Sequence, residues 1–452
     1  VVAVVIFLLR RWYRVSALAG ILTAGLLGLL ARIVPIEQAL NLGPGSFQID
    51  ESLFVLGRQF LLGEGDRPVL MMVYFLSAFW FGAAFIARAG RMLVPLGLAM
   101  VSLLTAALSV EPFLYAALFI EMAVLVSVPI LLTPGKPIGR GIIRFLILQS
   151  LGMPFILFTE WMLTGVETSP GDLELVVRAA GLLGLGFMFL LAVFPFHTWV
   201  PMLAEDSHPY AVGYIFIILS WMILLFGLGF LDRYSWLRND ARIFDWIRLA
   251  GLLMVVTGGV GAAFQRHLGR ILGFGLLVEV GYALQALGFP QNLSLVFETL
   301  LPKALALGVW SLALSFLWRQ GISLDFASLR GLGRRLPILT ASIVTAQLSV
   351  AGFPLLAGFP VRFALWDQLA GQAGWQATFT LLGSIGLAAS AMRTLTVLVT
   401  GEDDHPWKIM EDWQFLVLLG IGVTAIILVG LFPQWFLPPF ISGLNAFSHL
   451  IP

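Results

Sequence analysis

Apolar runs of about twenty residues, parted by charged or Pro/Gly-rich breaks, recur along the whole chain. That is the length a helix needs to cross a bilayer core. The runs fall near 15–34, 69–88, 92–110, 112–132, 141–164, 174–199, 209–232, 243–265, 268–288, 293–317, 335–366, 373–399 and 413–434. A further apolar stretch at 1–9 is too short to span and reads as a truncated first helix, which brings the expectation to about fourteen. Residues 35–68 read as the first long loop. A transmembrane β-barrel would show short alternating segments, whereas these runs are continuously apolar. The pattern predicts an all-α integral membrane protein, one polytopic domain over 1–452, with no linker or water-soluble module between helices.

Two of the expected helices carry an internal proline, at Phe194-Pro195-Phe196-His197 and at Gly352-Phe353-Pro354, the latter followed by Gly358-Phe359-Pro360. A mid-span proline removes a backbone hydrogen bond, and in lipid such a break persists only where protein or a water-lined cavity satisfies the freed carbonyls. One break alone is equally a packing kink, but paired breaks in two halves point to a repeated transporter unit. The halves share a register: Glu121 and Glu279 lie 279 − 121 = 158 positions apart, and Pro195 and Pro354 lie 354 − 195 = 159 apart. Two five-helix repeats, about 92–232 and 243–399, predict such an offset.

Composition agrees with lipid as the solvent: 59% of residues are hydrophobic and 11% charged, with a mean hydropathy of +0.96. A net charge of +1 with no basic stripe offers nothing to nucleic acid. The absence of cysteine removes disulfides, iron–sulfur ligation and thiol chemistry, so no cofactor is expected and any redox step belongs to another protein. His197, Glu205, Asp206 and His208 lack a recognised metal-ligand spacing and predict no metal.

Lys and Arg are uneven between alternate loops. Sixteen, among them Arg10, Arg14, Arg88, Lys136, Arg270, Arg319 and Lys408, fall on one side. Seven, among them Arg58, Arg67, Arg233 and Arg242, fall on the other, with one basic residue left unassigned. The positive-inside rule places the first set in the cytoplasm and both termini outside, in a multi-pass protein of a prokaryotic plasma membrane. Glu402-Asp403-Asp404 reads as a solvated loop on the basic side.

Ionisable residues inside apolar spans need a reason, since each costs roughly 2.5–3.5 kcal/mol at a helix centre. Glu121, Glu279, Lys303 and Arg362 stand in such positions, while Glu160 lies nearer a helix end and reads as a packing group. Together the four suggest a polar midplane axis. Lysine can surrender its proton in a buried site, whereas arginine stays charged and acts as a fixed electrostatic gate. His197, beside the first break, is a further proton-path candidate or a helix-end histidine bonded to a carbonyl.

Four stretches now carry a resemblance: Phe194 to Pro201 (FPFHTWVP), Gln265 to Phe274 (QRHLGRILGF), Leu301 to Leu305 (LPKAL) and Leu348 to Phe359 (LSVAGFPLLAGF). In order and spacing they resemble the antiporter-like proton-translocating membrane subunits of respiratory complex I (NADH:quinone oxidoreductase). That family is shared with Mrp-type cation/proton antiporters and membrane-bound hydrogenases, and the resemblance covers about residues 110–370. It implies fourteen helices with two inverted five-helix repeats, each holding a broken helix. It further implies that Glu121 is the family's membrane glutamate, Lys303 its central lysine, and Arg362 the residue after the second break, where relatives carry lysine or glutamate. Partners would be other membrane subunits of a complex I-like or Mrp-like assembly. The chain departs from the pattern at Leu190 and Met222, where relatives carry lysines, at Glu279, where many have histidine, and in the loop Met202 to Pro209.

The resulting expectation is proton translocation, with sodium the lesser alternative, through Glu121, Glu279, Lys303 and Arg362, coupled to redox chemistry in partner subunits such as a quinone-reducing NADH dehydrogenase. The rivals are a non-pumping scaffold that keeps the fold, favoured by Leu190 and Met222, and a stand-alone cation/proton antiporter.

Overall fold

The computed structural model describes residues 1–450 apart from 39, 43–44, 56, 134, 136, 169–172 and 402–411. Lys136, Lys408, the Glu402-Asp403-Asp404 loop and the side chain of Glu160 lie outside the described residues. The principal helices are α1 (Val2–Leu8), α2 (Tyr13–Ile33), α3 (Arg67–Ala87), α4 (Leu93–Ser109), α5 (Ala116–Leu131), α6 (Arg140–Thr168), α7 (Leu173–Leu190) and α8 (Trp199–Asp206). They continue with α9 (Pro209–Arg233), α10 (Ala241–Phe264), α11 (Leu268–Leu287), α12 (Leu300–Arg319), α13 (Pro337–Ala351), α14 (Phe359–Gln372), α15 (Gly374–Val399) and α16 (Trp413–Leu431). Among the described residues nine helical segments are long and apolar enough to cross a membrane by length and composition: those of α2, α3, α6, α9, α10, α11, α12, α15 and α16. Three more, α4, α5 and α13, are apolar but shorter.

Burial sorts these helices. The central windows of α9, α11 and α12 are each 89% buried, against 28% for α2 and 22% for α16. A helix that is apolar all round belongs inside a bundle or against lipid, and here the first three form the interior while the last two face outward. Around the interior, α10, α11 and α15 approach at glycines. A Cβ added at Gly259 would collide with the backbone of Gly383, and one at Gly281 would lie 2.8 Å from the Gly251 carbonyl oxygen. Small residues at such crossings let backbones meet where no hydrophobic drive exists between helices in lipid.

The single run expected at 335–366 is two helices in the structure. Helix α13 ends at Ala351, Gly352 turns away at φ +80°, and α14 starts at Phe359 with Pro360 in its first turn. The first half behaves alike. Helix α7 ends at Leu190, Ala192 turns at φ +55°, and α8 begins at Trp199.

The all-α expectation needs one correction, at the periphery. Within the loop 35–68, β1 (Leu40–Leu42) pairs with β2 (Gly45–Phe47), and β3 (Ser52–Val55) pairs with β4 (Arg58–Leu61) around Gly57 at φ +75°. Strand β4 also takes β5 (Val110–Glu111) as a partner, matching Phe60 with Val110. Backbone amides leaving a helix need partners, and these short ladders supply them. Arg32, unassigned in the charge tally, sits in the last turn of α2, where its carbonyl accepts from Arg67 Nη2 at 2.6 Å. It joins the poorer side, so the bias becomes 16 to 8.

His208 caps α9 from outside the helix, its Nδ1 accepting from the Tyr210 amide at 3.3 Å. Burial pushes its imidazole down to about 4. An unfolded chain, with histidine near about 6.5, takes up a proton in that window which the folded chain refuses. Stability therefore falls as pH drops from about 6.5 to 4, by up to about 3 kcal/mol. His208→Asn keeps a capping side chain without the titration and should flatten the acid limb of the unfolding temperature of the detergent-solubilised protein. Equal slopes in both proteins would show that His208 is not the source.

Candidate functional site

The interior helices carry the charges. Glu279 lies mid-way along α11, Lys303 in the first turn of α12, and Arg362 in the first turn of α14 just past the second break. All three are buried, at 4%, 1% and 3% exposure, so each needs a partner from protein.

Arg362 has the most complete set. Its Nη2 donates to Glu279 Oε1 at 2.6 Å and to the Val350 carbonyl at 3.1 Å, and its Nε donates to the same carbonyl at 3.3 Å. The guanidinium also lies over the Tyr282 ring, 3.5 Å from the centroid. The break explains this placement. Val350 is in the last turn of α13, whose unpaired carbonyls form the negative end of a half-helix dipole, and a cation there is stabilised. Ser349 fastens the other half, its Oγ accepting from the Gly358 amide at 3.2 Å.

Lys303 donates to Ser220 Oγ of α9 at 2.9 Å, and the Ser220 hydroxyl donates in turn to the Phe216 carbonyl at 2.6 Å. Glu279 lies within electrostatic reach of Lys303 as well as of Arg362.

Beyond the pair, a stripe of polar side chains runs along α11. Glu279, Tyr282 and Gln285 are spaced by three, which keeps them on one helix face. Tyr282 Oη is bonded to Ser384 Oγ and accepts from Trp366 Nε1 at 3.2 Å. Gln285 Nε2 donates to Thr380 Oγ1 at 2.7 Å. On α15, Gln376, Thr380 and Ser384 repeat every four residues on the face opposite. Gln285 Oε1, Gln376 Oε1 and both amide atoms of Gln347 are buried and have no partner among the described residues.

The first half is arranged differently. Glu121 of α5 accepts from Ser150 Oγ of α6 at 2.6 Å, and its other oxygen is buried without a partner among the described residues. It is only partly buried, and among the described residues no hydrogen bond or ion pair joins it to Glu279, Lys303 or Arg362. The Leu190 carbonyl at the first break goes to an amide: Gln149 Nε2 donates to it at 2.9 Å and, at 3.5 Å, to the Phe189 carbonyl, which also accepts from the Ala192 amide. Gln149 thus does for the first break, without charge, what Arg362 does for the second. Leu190 and Met222 are buried among apolar neighbours. A small cavity between the halves is lined by Leu190, Leu219, Leu277 and Val280, with Gln149 and Ser220 as its polar members.

His197 stands apart: it is half-buried, its ring stacked on Phe194 at 5.6 Å between centroids and its Nδ1 without a partner among the described residues. Pro195 and Pro354 both sit in exposed break segments, not in the charge cluster. Glu205 pairs with Arg270 at 2.6 Å, and Asp206 accepts from the Gly141 amide at 3.0 Å, so each has a structural partner. Sequence reasoning missed Tyr282, Ser384, Ser220 and Gln149. The first two were signalled by polar residues at helical spacing on α11 and α15, the last two by nothing local.

The comparisons agree with this architecture. The model for the NADH:quinone oxidoreductase/Mrp antiporter transmembrane family matches residues 69–388. NADH-quinone oxidoreductase subunit 14 of Thermus thermophilus is 27% identical over 314 residues, covering 68% of this chain and 70% of that one. Other subunit N relatives, from Rhodococcus opacus and Salinispora arenicola, match over 63% and 53% of their own lengths. Among solved structures, a chain of the archaeal membrane-bound sulfane sulfur reductase superposes with a TM-score of 0.77 at 15% identity, covering 99% of this chain and 97% of that one. A chain of the Mrp complex from Dietzia sp. superposes at 0.74 and 15%, covering 100% and 95%. These two likenesses concern the fold alone. The family model spans well over half of the sequence, and the chain belongs to the NADH:quinone oxidoreductase/Mrp antiporter transmembrane family.

Proposed function

We propose that the chain is a membrane subunit of a complex I-like or Mrp-like assembly and moves protons by way of Lys303 and Glu279, with Arg362 as the fixed charge beside Glu279, driven by redox chemistry in partner subunits. In this reading it has fourteen helices arranged as two inverted five-helix repeats about the two breaks. The observation that carries it is the buried pair of Glu279 and Arg362 at a helix break, with Lys303 within electrostatic reach. A proton arriving at Lys303 creates a second cation that competes with Arg362 for Glu279, and its departure restores the pair. Arg362 stays charged throughout and sets the resting position of Glu279. From the pair, the stripe through Tyr282, Gln285 and Gln376 leads toward the Arg248–Gln372 end, bonded at 3.3 Å. Buried polar atoms without protein partners are where ordered water completes hydrogen bonds, which suits a proton exit.

The test is proton pumping by the reconstituted assembly carrying Lys303→Ala or Glu279→Gln. Loss in either supports the axis; unchanged pumping in both ends it.

The scaffold reading draws on the first half, where Leu190 and Met222 fill positions that take lysine in the resemblance and Gln149 neutralises the break. Leu190→Lys separates the two. Placing an ammonium against Gly152 and the apolar cavity should cost about 2–4 kcal/mol in chemical unfolding and add no pumping if the first half is structural. A gain in pumping would show that this half needs only its lysine.

A further inference from the structure

A cleft of about 480 Å³ opens at the far end of the bundle from the Arg248–Gln372 pair, where the start of α2 meets the ends of α3 and α12. Its wall includes Tyr13, Arg14, Arg88, Arg91, Arg319 and Gln414. The volume is within the roughly 300–1,000 Å³ typical of ligand sites. We propose that it binds the phosphate headgroup of an anionic phospholipid.

Four guanidiniums from three separate stretches of chain converge there. Arg319 has an acidic partner, Asp412 at 3.4 Å, while Arg14, Arg88 and Arg91 have none among the described residues. Among the described residues, four cations against one carboxylate leave three positive charges around one cavity, and an anion relieves that repulsion.

Helix ends attract cations on their own account, but capping does not explain these arginines. The Ala84 carbonyl in the last turn of α3 already accepts from Tyr13 Oη at 2.7 Å and from the backbone amides of Arg88 and Ala89. Arg88 itself holds φ +52°, at a left-handed helix end where glycine is the favoured residue. An L-residue there costs about 1 kcal/mol, so a long cation is kept at a position that opposes it. Such strain collects at ligand clamps.

The place of the cleft at the helix ends favours a lipid over a free anion. It lies where spanning helices end, with Phe85 and Ile86 as an apolar side and the exposed Trp12 beside it. Interfacial tryptophans and basic pockets between helices mark headgroup level, and this end carries the richer set of basic loops.

The detergent-purified protein, offered dioctanoyl phosphatidylglycerol, dioctanoyl phosphatidylcholine or inorganic phosphate, tests this by native mass spectrometry and thermal shift. Phosphatidylglycerol should be retained and should raise the unfolding temperature; the other two should not. Arg88→Gly with Arg91→Gln should weaken phosphatidylglycerol binding about fivefold per arginine, about 25-fold together. The glycine also relieves the backbone strain, so the variant folds. Arg266→Gln, exposed and outside the cleft, should bind as the parent does. Equal binding of phosphatidylcholine or of inorganic phosphate, or no loss in the double variant, overturns the assignment. So does crosslinking of this cleft, in the intact assembly, to an acidic segment of a neighbouring subunit.

Discussion

Lys303→Ala should reduce proton pumping by the reconstituted assembly at least tenfold while leaving the subunit folded. The ammonium is buried and bonded to Ser220, whose hydroxyl already donates to the Phe216 carbonyl, so removing the lysine leaves Ser220 with a partner. Glu279 keeps Arg362 as its hydrogen-bonded cation, so losing the ammonium orphans no carboxylate, and the unfolding temperature should fall by no more than the cavity left by a shortened side chain costs. Lys303→Arg sharpens the test. It keeps the positive charge but cannot release a proton, so a role in proton exchange predicts that it fails with alanine, whereas a purely electrostatic role predicts rescue. Normal pumping in Lys303→Arg would remove Lys303 from the proton path.

Arg362→Leu should destabilise the subunit more than any other single substitution in the charge cluster, by about 3–5 kcal/mol, because it leaves the Glu279 carboxylate buried without its cation. The Val350 carbonyl loses its donor in the same step. Adding Glu279→Gln should recover part of that loss, since the orphaned charge goes with it, and the double-mutant cycle should give a coupling energy above about 1 kcal/mol. Arg362→Lys should fall between, keeping the charge while losing the planar fork on Val350 and the stacking over Tyr282. Unfolding of the purified subunit in mixed micelles measures all three. Additive single effects would show that the 2.6 Å pair contributes nothing as a pair.

Much of this site was legible in the sequence, for a local reason. Glu279, Lys303 and Arg362 each stood out as a charge within an apolar span, a property of some twenty consecutive residues. The breaks were equally visible, because Gly352-Phe353-Pro354 and Phe194-Pro195 carry turn and proline chemistry in the letters themselves. Glu121 was flagged by the same criterion and belongs elsewhere in space, beside Ser150. Hydropathy registers that a charge lies within an apolar run and says nothing about how deeply it is buried or what it meets.

The hydrophobic periods, the two breaks and the loop charge bias were determined by sequence alone, since each depends on neighbours along the chain. Only the tertiary structure decided that Arg362 closes on Glu279 and that Lys303 closes on Ser220, contacts that each bridge 83 positions. It also decided that Gln149 quiets one break while Arg362 charges the other, and that three remote arginines share a cleft with Arg319. The reason is physical: insertion into lipid is scored helix by helix, but a buried charge is stabilised by whichever helix packs against it, and packing joins segments that sequence holds apart.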